Sequence, residues 1–132
     1  MIKLAIATVL LAHGVGHVLF LAPTLKLADW AAQTGWSWAL APLVGDGVAR
    51  LMGSALWAVA IMLFVAAAGG YLVDSSWWRV VAIGGAVASG IGIIVMWSGI
   101  ATTNAVLTLA VDVIVVALLL WTRASAATAA GA

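Results

Sequence analysis

Four long runs of apolar residues, separated by short segments rich in polar and turn-forming residues, dominate the pattern of the chain. A helix of about 20 apolar residues crosses the roughly 30 Å hydrocarbon core of a bilayer, and each run reaches that length. In lipid, a helix satisfies its own backbone polar groups. The pattern therefore predicts an all-α integral membrane protein, a four-transmembrane-helix antiparallel bundle with spans at residues 2–22, 47–68, 78–100 and 102–121.

Residues 1–123 are predicted to form a single transmembrane domain, followed by a disordered tail of small residues at 124–132. The first apolar run is longer than the apolar region of a usual signal peptide. Two histidines interrupt it, and Phe20 stands where a cleavage site before Pro23 requires a small residue. We therefore expect this run to be a retained span.

The first loop begins after Pro23 with the segment TLKLADWAAQTG, which is too short to cross a bilayer. One interpretation is a short interfacial helix that Thr24 caps and Gly35 ends. The alternative is an irregular loop held at the headgroup level by tryptophans, whose indole rings have an apolar body and one donor. The tryptophans concerned are Trp30, Trp36 and Trp38.

Composition narrows the class of protein further. Of the 132 residues, 67% are hydrophobic and 7% are charged, whereas about a quarter of the residues in soluble domains are charged. The mean hydropathy is +1.28, as expected for a membrane protein. A net charge of +1 without basic clusters gives no basis for binding nucleic acid. The chain has no cysteine, which excludes disulfides and thiolate metal sites.

Basic residues fall mainly on one side of the predicted membrane. Lys3, Arg79 and Arg123 flank the spans on the side of both termini, whereas the first loop offers Lys26, with Arg50 embedded in the second span. Cytoplasmic segments carry an excess of Lys and Arg. The asymmetry predicts a multi-pass protein of the bacterial cytoplasmic (inner) membrane with both termini in the cytoplasm.

Polar residues gather in the outer half of three spans, the half nearest the first loop. With a rise of 1.5 Å per residue, His13 lies roughly 15 Å below the outer surface, about the depth of Asp112, and His17 lies roughly 9 Å below it. The convergence predicts one polar cavity that binds a small ligand or handles protons. The candidate residues are His13 and His17 on the first span, Asp46, Arg50 and Ser54 on the second, and Asn104, Thr108 and Asp112 on the fourth.

Several cofactors fit this set of residues. His13, His17 and Asp112 could ligate a divalent metal ion, although an i, i+4 histidine pair also occurs by chance. Haem binding is a further alternative. Only one of the two histidines could ligate the haem iron, because residues one turn apart on one helix cannot take opposite axial positions. Quinone binding or proton relay needs only a His and an Asp beside a polar path. A purely structural His–Asp pair is an equal alternative, since either group alone in hydrocarbon is costly.

Small residues form two interleaved rows on the third span. The rows allow a neighbouring helix to approach closely, and we expect them to face protein and not lipid. They predict a contact within the bundle, in a homo-oligomer or in a larger membrane complex. The rows consist of Gly84, Ala88 and Gly92, and of Ala82, Ala86 and Gly90.

The sequence resembles the DoxX-like family of small four-helix bacterial membrane proteins. The residues that carry the resemblance are HVLFLAP at the end of the first span, LKLADW in the first loop, and ARLMGSALWAVAI in the second span with its Arg50 and Gly53. The His13 to His17 motif is not part of it. The resemblance implies a redox-associated membrane partner linked to quinone-dependent or oxidative-stress chemistry.

Three functions remain open. The first is a small-ligand-binding or proton-handling membrane protein, an accessory to quinone-linked redox chemistry. The second is a non-catalytic interaction subunit, and the third is an oxidoreductase subunit that binds a metal or haem. Ser54 and Ser89 lie in no nucleophile motif, so we predict no catalytic residue, and the pattern favours a protein that is not itself an enzyme.

Overall fold

The computed structural model describes residues 1–28, 30 and 32–130, with side chains up to residue 121. Its helices are α1 (Ile2–Gly16), α2 (Val18–Thr24), α3 (Ala41–Val44), α4 (Asp46–Leu72), α5 (Trp78–Met96) and α6 (Thr102–Ala130), with a 3₁₀ turn at Trp97–Gly99. No strand occurs among the described residues, and four helical spans are long and apolar enough to cross a membrane. These spans are Ile2–Thr24, Asp46–Leu72, Trp78–Gly99 and Thr102–Trp121. The predicted all-α four-helix fold is confirmed.

Spans that are consecutive in the chain pack most closely on one another. In the part of the chain that the structure describes, α1 and α2 pack on α4, α4 packs on α5, and α5 packs on α6. The first and last spans, by contrast, share few contacts with each other. We call the boundary between α1–α2 and α6 the seam, because the candidate site lies along it.

Small residues on α5 let two large aromatic side chains of α4 enter the core. A Cβ atom added to Gly92 would lie 2.7 Å from the Trp57 ring, and one added to Gly85 would lie 3.1 Å from the Phe64 ring. Trp57 and Phe64 are both fully buried. Four of the six residues of the predicted rows, Ala82, Ala86, Ala88 and Gly92, are buried within the chain, whereas Gly84 and Gly90 are half-buried.

The first loop differs from the predicted interfacial helix. The Thr24 hydroxyl donates to the Phe20 carbonyl at 2.7 Å, so Thr24 belongs to the last turn of α2 and does not cap a new helix. Lys26 then leaves the helical region with φ of 59°. The described residues that follow are irregular apart from a bridge between Trp30 and Gln33, and they match the loop alternative. The short helix of this loop lies later, at Ala41–Val44, while residues 29 and 31 lie outside the described part.

The loop is bonded to the end of α5. The Trp38 indole donates to the Ile94 carbonyl at 2.8 Å, and the Ser37 hydroxyl donates to the Val95 carbonyl at 2.7 Å. The amide of Gly35 donates to the Gly99 carbonyl at 3.0 Å. These contacts close the loop over the end of the bundle nearest the candidate site, and we call this end the loop end.

The fourth span continues as a helix beyond the membrane-spanning residues. Its backbone is helical to Ala130, whereas the composition of residues 124–132 predicts disorder. Alanine has the highest helix propensity, and five of the seven residues from 124 to 130 are alanine, which accounts for the continuation. Residues 131 and 132 of the predicted tail lie outside the described part.

Candidate functional site

His13 on α1 and Asp112 on α6 meet across the seam. His13 Nε2 lies 2.7 Å from Asp112 Oδ1, a distance that requires one hydrogen between the two atoms. Asp112 is only 3% exposed, so its carboxyl group is buried within a span. Pairing offsets much of the cost of placing an ionisable group at this depth. The contact confirms the prediction that these two residues share a level.

His17 is bound by two hydrogen bonds that fix its tautomer. Its Nδ1 donates to the His13 carbonyl at 2.9 Å, because a carbonyl oxygen only accepts. Nε2 therefore carries the lone pair of the neutral ring and accepts from the Ser89 hydroxyl at 2.7 Å. The bond from Nδ1 also explains the break between α1 and α2. In a regular helix the backbone amide of His17 would donate to the His13 carbonyl, which the side chain occupies here, and it donates instead to the Gly14 carbonyl.

Ser89 is the partner that the sequence analysis missed. It lies on α5 and is fully buried, among the small residues that approach α4. A hydroxyl inside an otherwise apolar small-residue face was the available signal, because such a group needs a partner within the bundle.

Aromatic side chains form a wall behind the two imidazoles. The His13 ring meets the Phe64 ring edge to face at 4.7 Å, and the His17 ring stacks on Phe64 at 5.9 Å. Trp57 and Phe20 lie 6.0 and 5.9 Å from His17. The wall excludes water from one side of the histidines and strengthens the electrostatic interactions of the site.

A cavity of about 180 Å³ opens along the seam on the loop side of the His13–Asp112 pair. This volume is smaller than the roughly 300–1,000 Å³ typical for drug-sized ligands and has room for one small ring or a hydrated ion. Its polar lining comes from both sides of the seam, as the sequence analysis predicts for Asn104 and Thr108. The lining residues are Ala12, His13, Gly16, His17, Leu19, Phe20, Asn104, Leu107 and Thr108.

A second, apolar groove of about 650 Å³ lies along the same seam toward the opposite end of the bundle. It begins one turn from the His13–Asp112 pair, where Leu10 and Val111 line it, and reaches Trp78 and Arg79 near the start of α5. The pair thus lies between a cavity whose lining includes four polar side chains and a groove that is almost wholly apolar.

The structure does not bring Asp46 and Arg50 to the His–Asp cluster. Arg50 Nε donates to Asp46 Oδ2 at 2.8 Å, and Nη1 donates to the carbonyls of Thr34 at 2.8 Å and Pro23 at 3.4 Å. Arg50 thereby joins α4 to the first loop and to the end of α2. Arg50 therefore does not line the cavity beside the histidines with which the sequence analysis grouped it, because its guanidinium binds loop carbonyls and Asp46.

Several buried polar atoms of the bundle have no hydrogen-bond partner among the described residues. Among the described residues, Asp112 Oδ2, Ser54 Oγ and Trp57 Nε1 are buried within the bundle and form no hydrogen bond. A buried polar group without a partner costs about 1–3 kcal/mol. The Asp112 carboxylate therefore retains the capacity to accept a further donor or to ligate a cation.

Three groups of this cluster have the chemistry of metal ligands. His13, His17 and Asp112 each offer one ligand atom, and these atoms all lie within 4.8 Å of one another. The sequence predicts the same three residues as a metal set, and the structure brings them together.

Comparison with family models, curated proteins and solved structures finds no match to this chain, so its function is argued from the site.

Proposed function

We propose that this protein holds a small ligand in the cavity of the seam and handles a proton on the His13–Asp112 pair. The observation that carries the proposal is the 2.7 Å contact between two ionisable side chains beside a polar cavity inside a membrane span. Ionisable residues at such depth are rare and generally serve ion, proton or ligand pathways.

The pair suits proton handling because one hydrogen lies between Nε2 and Oδ1 and can reside on either atom. His13 lines the cavity, whereas Asp112 is buried behind it. A proton therefore exchanges with the cavity through the imidazole, and the carboxylate stabilises the charged ring. The Thr108 hydroxyl and the Asn104 amide lie in the same cavity and offer polar steps toward the loop end.

A quinone-type ring is the ligand that fits the lining best. Phe20 and the histidine rings provide aromatic surfaces, and the Thr108 hydroxyl and Asn104 amide provide donors for carbonyl oxygens. The resemblance to DoxX-like proteins supports the same assignment, an accessory to quinone-linked redox chemistry.

We propose that the protein lies in the bacterial cytoplasmic membrane with both termini in the cytoplasm. Lys3 and Arg79 lie at the end of the bundle opposite the first loop, and Lys3 is 2.6 Å from Asp74 in the turn between α4 and α5. The positive-inside rule counts Lys and Arg and gives little weight to acidic neighbours. Lys3 therefore still counts toward a cytoplasmic location of this end, although it pairs with Asp74.

Titration with a short-chain quinone that quenches tryptophan fluorescence tests whether the cavity binds a quinone-type ring. Trp57 lies 6.0 Å from the His17 ring, and the difference between wild type and Trp57→Phe isolates its signal. Thr108→Val removes one neutral hydrogen bond of about 0.5–1.5 kcal/mol, so we expect about two- to tenfold weaker binding. Thr103→Val, an exposed change on the same helix, is the control.

Infrared difference spectroscopy tests whether Asp112 takes up a proton when the ligand binds. Addition of the quinone should produce a carboxyl band that disappears in Asp112→Asn and persists in Asp74→Asn. Quenching that is equal in wild type and in a His13→Ala variant, with no carboxyl band, would show that the seam is not the binding site.

A second candidate function, a non-catalytic interaction subunit, is favoured by the low burial of α6. Only 11% of the fourth span is buried within the chain, against 44% of the third. The surface offered to a second copy or to a larger complex is therefore α6 more than the third span. Light scattering in detergent tests this candidate, and a monomeric mass at every concentration, with no co-purifying subunit, would contradict it.

A further inference from the structure

We propose that His13, His17 and Asp112 bind one divalent first-row transition-metal ion of the Zn²⁺ type. The inference rests on the site of the proposed function being a binding site, and a bound ion would take the place of the hydrogen that His13 and Asp112 share, so the pair holds either the ion or that hydrogen. The three ligand atoms lie within 4.8 Å of one another, and any pair farther apart than about 4.4 Å must move closer, because each ligand lies 2.0–2.2 Å from the ion. Two imidazoles and one carboxylate, with no thiolate in the chain, are a ligand set found in zinc and other divalent-metal sites.

The hydrogen bonding of His17 prepares it as a ligand. Histidines that bind metals usually donate their other ring N–H to a carbonyl or carboxylate, which fixes the tautomer and the ring orientation. His17 Nδ1 donates to the His13 carbonyl at 2.9 Å, so the lone pair is on Nε2. Ser89 donates to that lone pair at 2.7 Å, and a metal ion would take the place of its hydrogen.

The carboxylate of Asp112 supplies the negative charge that a divalent cation requires. Its Oδ2 is buried and has no partner among the described residues, and Oδ1 shares a hydrogen with His13 Nε2. In tetrahedral coordination, nitrogen and oxygen ligands at 2.0–2.2 Å from the ion lie about 3.3 Å apart. An ion that replaces the shared hydrogen therefore requires a separation only several tenths of an ångström greater than the present 2.7 Å.

The surroundings of the cluster leave one coordination position open. α4 and α5 present Phe64, Trp57 and Ser89 to the histidines and add no charged group there. On the remaining side lies the cavity of about 180 Å³, where Asn104 and Thr108 can bind a water or a ligand oxygen. Three protein ligands and one open position are the arrangement of zinc sites that act on a bound molecule.

Metal loading of the purified full-length protein tests the inference. The protein, purified in detergent without a histidine tag, is stripped with a chelator and then titrated with Zn²⁺ or Co²⁺. We expect one ion per chain by elemental analysis, and an intense visible Co²⁺ spectrum of four-coordinate geometry. His17→Gln and Asp112→Asn should each weaken binding by at least about tenfold, since even the loss of a ligand's hydrogen-bond partner costs 10–100-fold.

Asp74→Asn is the matched control for Asp112→Asn, because Asp74 is exposed and pairs with Lys3 away from the cluster. It should bind the ions as wild type does. Circular dichroism checks that each variant folds. Where a variant does not fold, the wild-type spectrum decides, because an ion bound elsewhere by water and surface oxygens stays six-coordinate and pale. The inference would be overturned by a pale Co²⁺ spectrum, by much less than one ion per chain, or by a folded Asp112→Asn variant that binds the ion as tightly as wild type.

The quinone probe separates this inference from the proposed function. If the probe binds in a manner that depends on Thr108 and His13 while no ion binds, the metal inference is wrong and the proposed function stands. If an ion binds but the quinone does not, the site is a metal site, and the proposal that the cavity holds a quinone-type ring is wrong. If neither binds, both proposals fail.

Discussion

His13 and Asp112 depend on each other because each makes the burial of the other tolerable. Removal of one partner leaves the other without its only side-chain hydrogen bond in the described part of the chain. Removal of both leaves a gap without an unpaired ionisable group. The loss of stability should therefore not be additive.

A double-mutant cycle of Asp112→Asn and His13→Ala measures this dependence. We expect a coupling free energy of about 0.5–3 kcal/mol, the range for residues in direct contact. The free energies of unfolding of wild type, both single variants and the double variant are measured in detergent. Additive single effects would mean that the pair contributes nothing beyond its separate residues.

Ser89→Ala tests the second hydrogen bond of the cluster. The variant leaves His17 Nε2 buried without a donor, and we expect it to lower the free energy of unfolding by about 1–3 kcal/mol. Ser76→Ala, in the exposed turn before α5, is the control and should stay within about 0.5 kcal/mol of wild type. A Ser89→Ala variant as stable as the control would show that the hydrogen bond between Ser89 and His17 contributes no net stability.

Depth along a span could be predicted at the residue scale, but rotation about its axis could not. Counting residues from Pro23 placed His13 level with Asp112, and the two meet. The same reasoning grouped Arg50 with the histidines as a candidate residue of one cavity, but its side chain turns to the carbonyl of Thr34. The spans are apolar on nearly all sides, so their periodicity does not show which face meets which neighbour.

At the scale of the helices, close packing of α5 on α4 depends on missing side chains. In Gly92→Ala the new Cβ would lie 2.7 Å from the Trp57 ring, and Trp57 is fully buried and cannot easily move. We expect a loss of about 1–3 kcal/mol in the free energy of unfolding, as for other overpacked cores.

Gly69→Ala is the control for this prediction, because nothing lies within 4 Å of its added Cβ. It should leave stability unchanged or raise it by about 0.5–1 kcal/mol, since alanine is the better helix former. Thermal unfolding of the two variants side by side provides the measurement. Equal midpoints would show that α5 and α4 are less tightly packed than the distances indicate.

The ends of the spans were largely predictable because apolar length and turn residues determine them. The predicted spans and the observed ones agree within a few residues at each end. Local bonds that hydropathy does not show account for the differences. The Thr24 hydroxyl turns back to Phe20 instead of capping a helix, and the Nδ1 bond of His17 interrupts the first span.

For the whole molecule, orientation is the property that the sequence predicts and a direct experiment can check. The chain has no cysteine, so single cysteines can be introduced at Leu43 in the first loop and at Ser76 in the opposite turn. In intact bacterial cells, a membrane-impermeant maleimide should label Leu43→Cys, and it should label Ser76→Cys only after the membrane is opened. The reverse pattern would place the termini outside.

Each span packs mainly on the span that precedes it in the chain, with α4 on α1, α5 on α4 and α6 on α5. During synthesis every newly inserted span therefore finds its partner already in the membrane, and assembly needs few distant contacts. The exception is the bond from His13 to Asp112, which joins the first span to the last. The His13–Asp112 pair can form only after the ribosome has delivered the fourth span, so a chain that ends before α6 lacks the pair on which the candidate site depends.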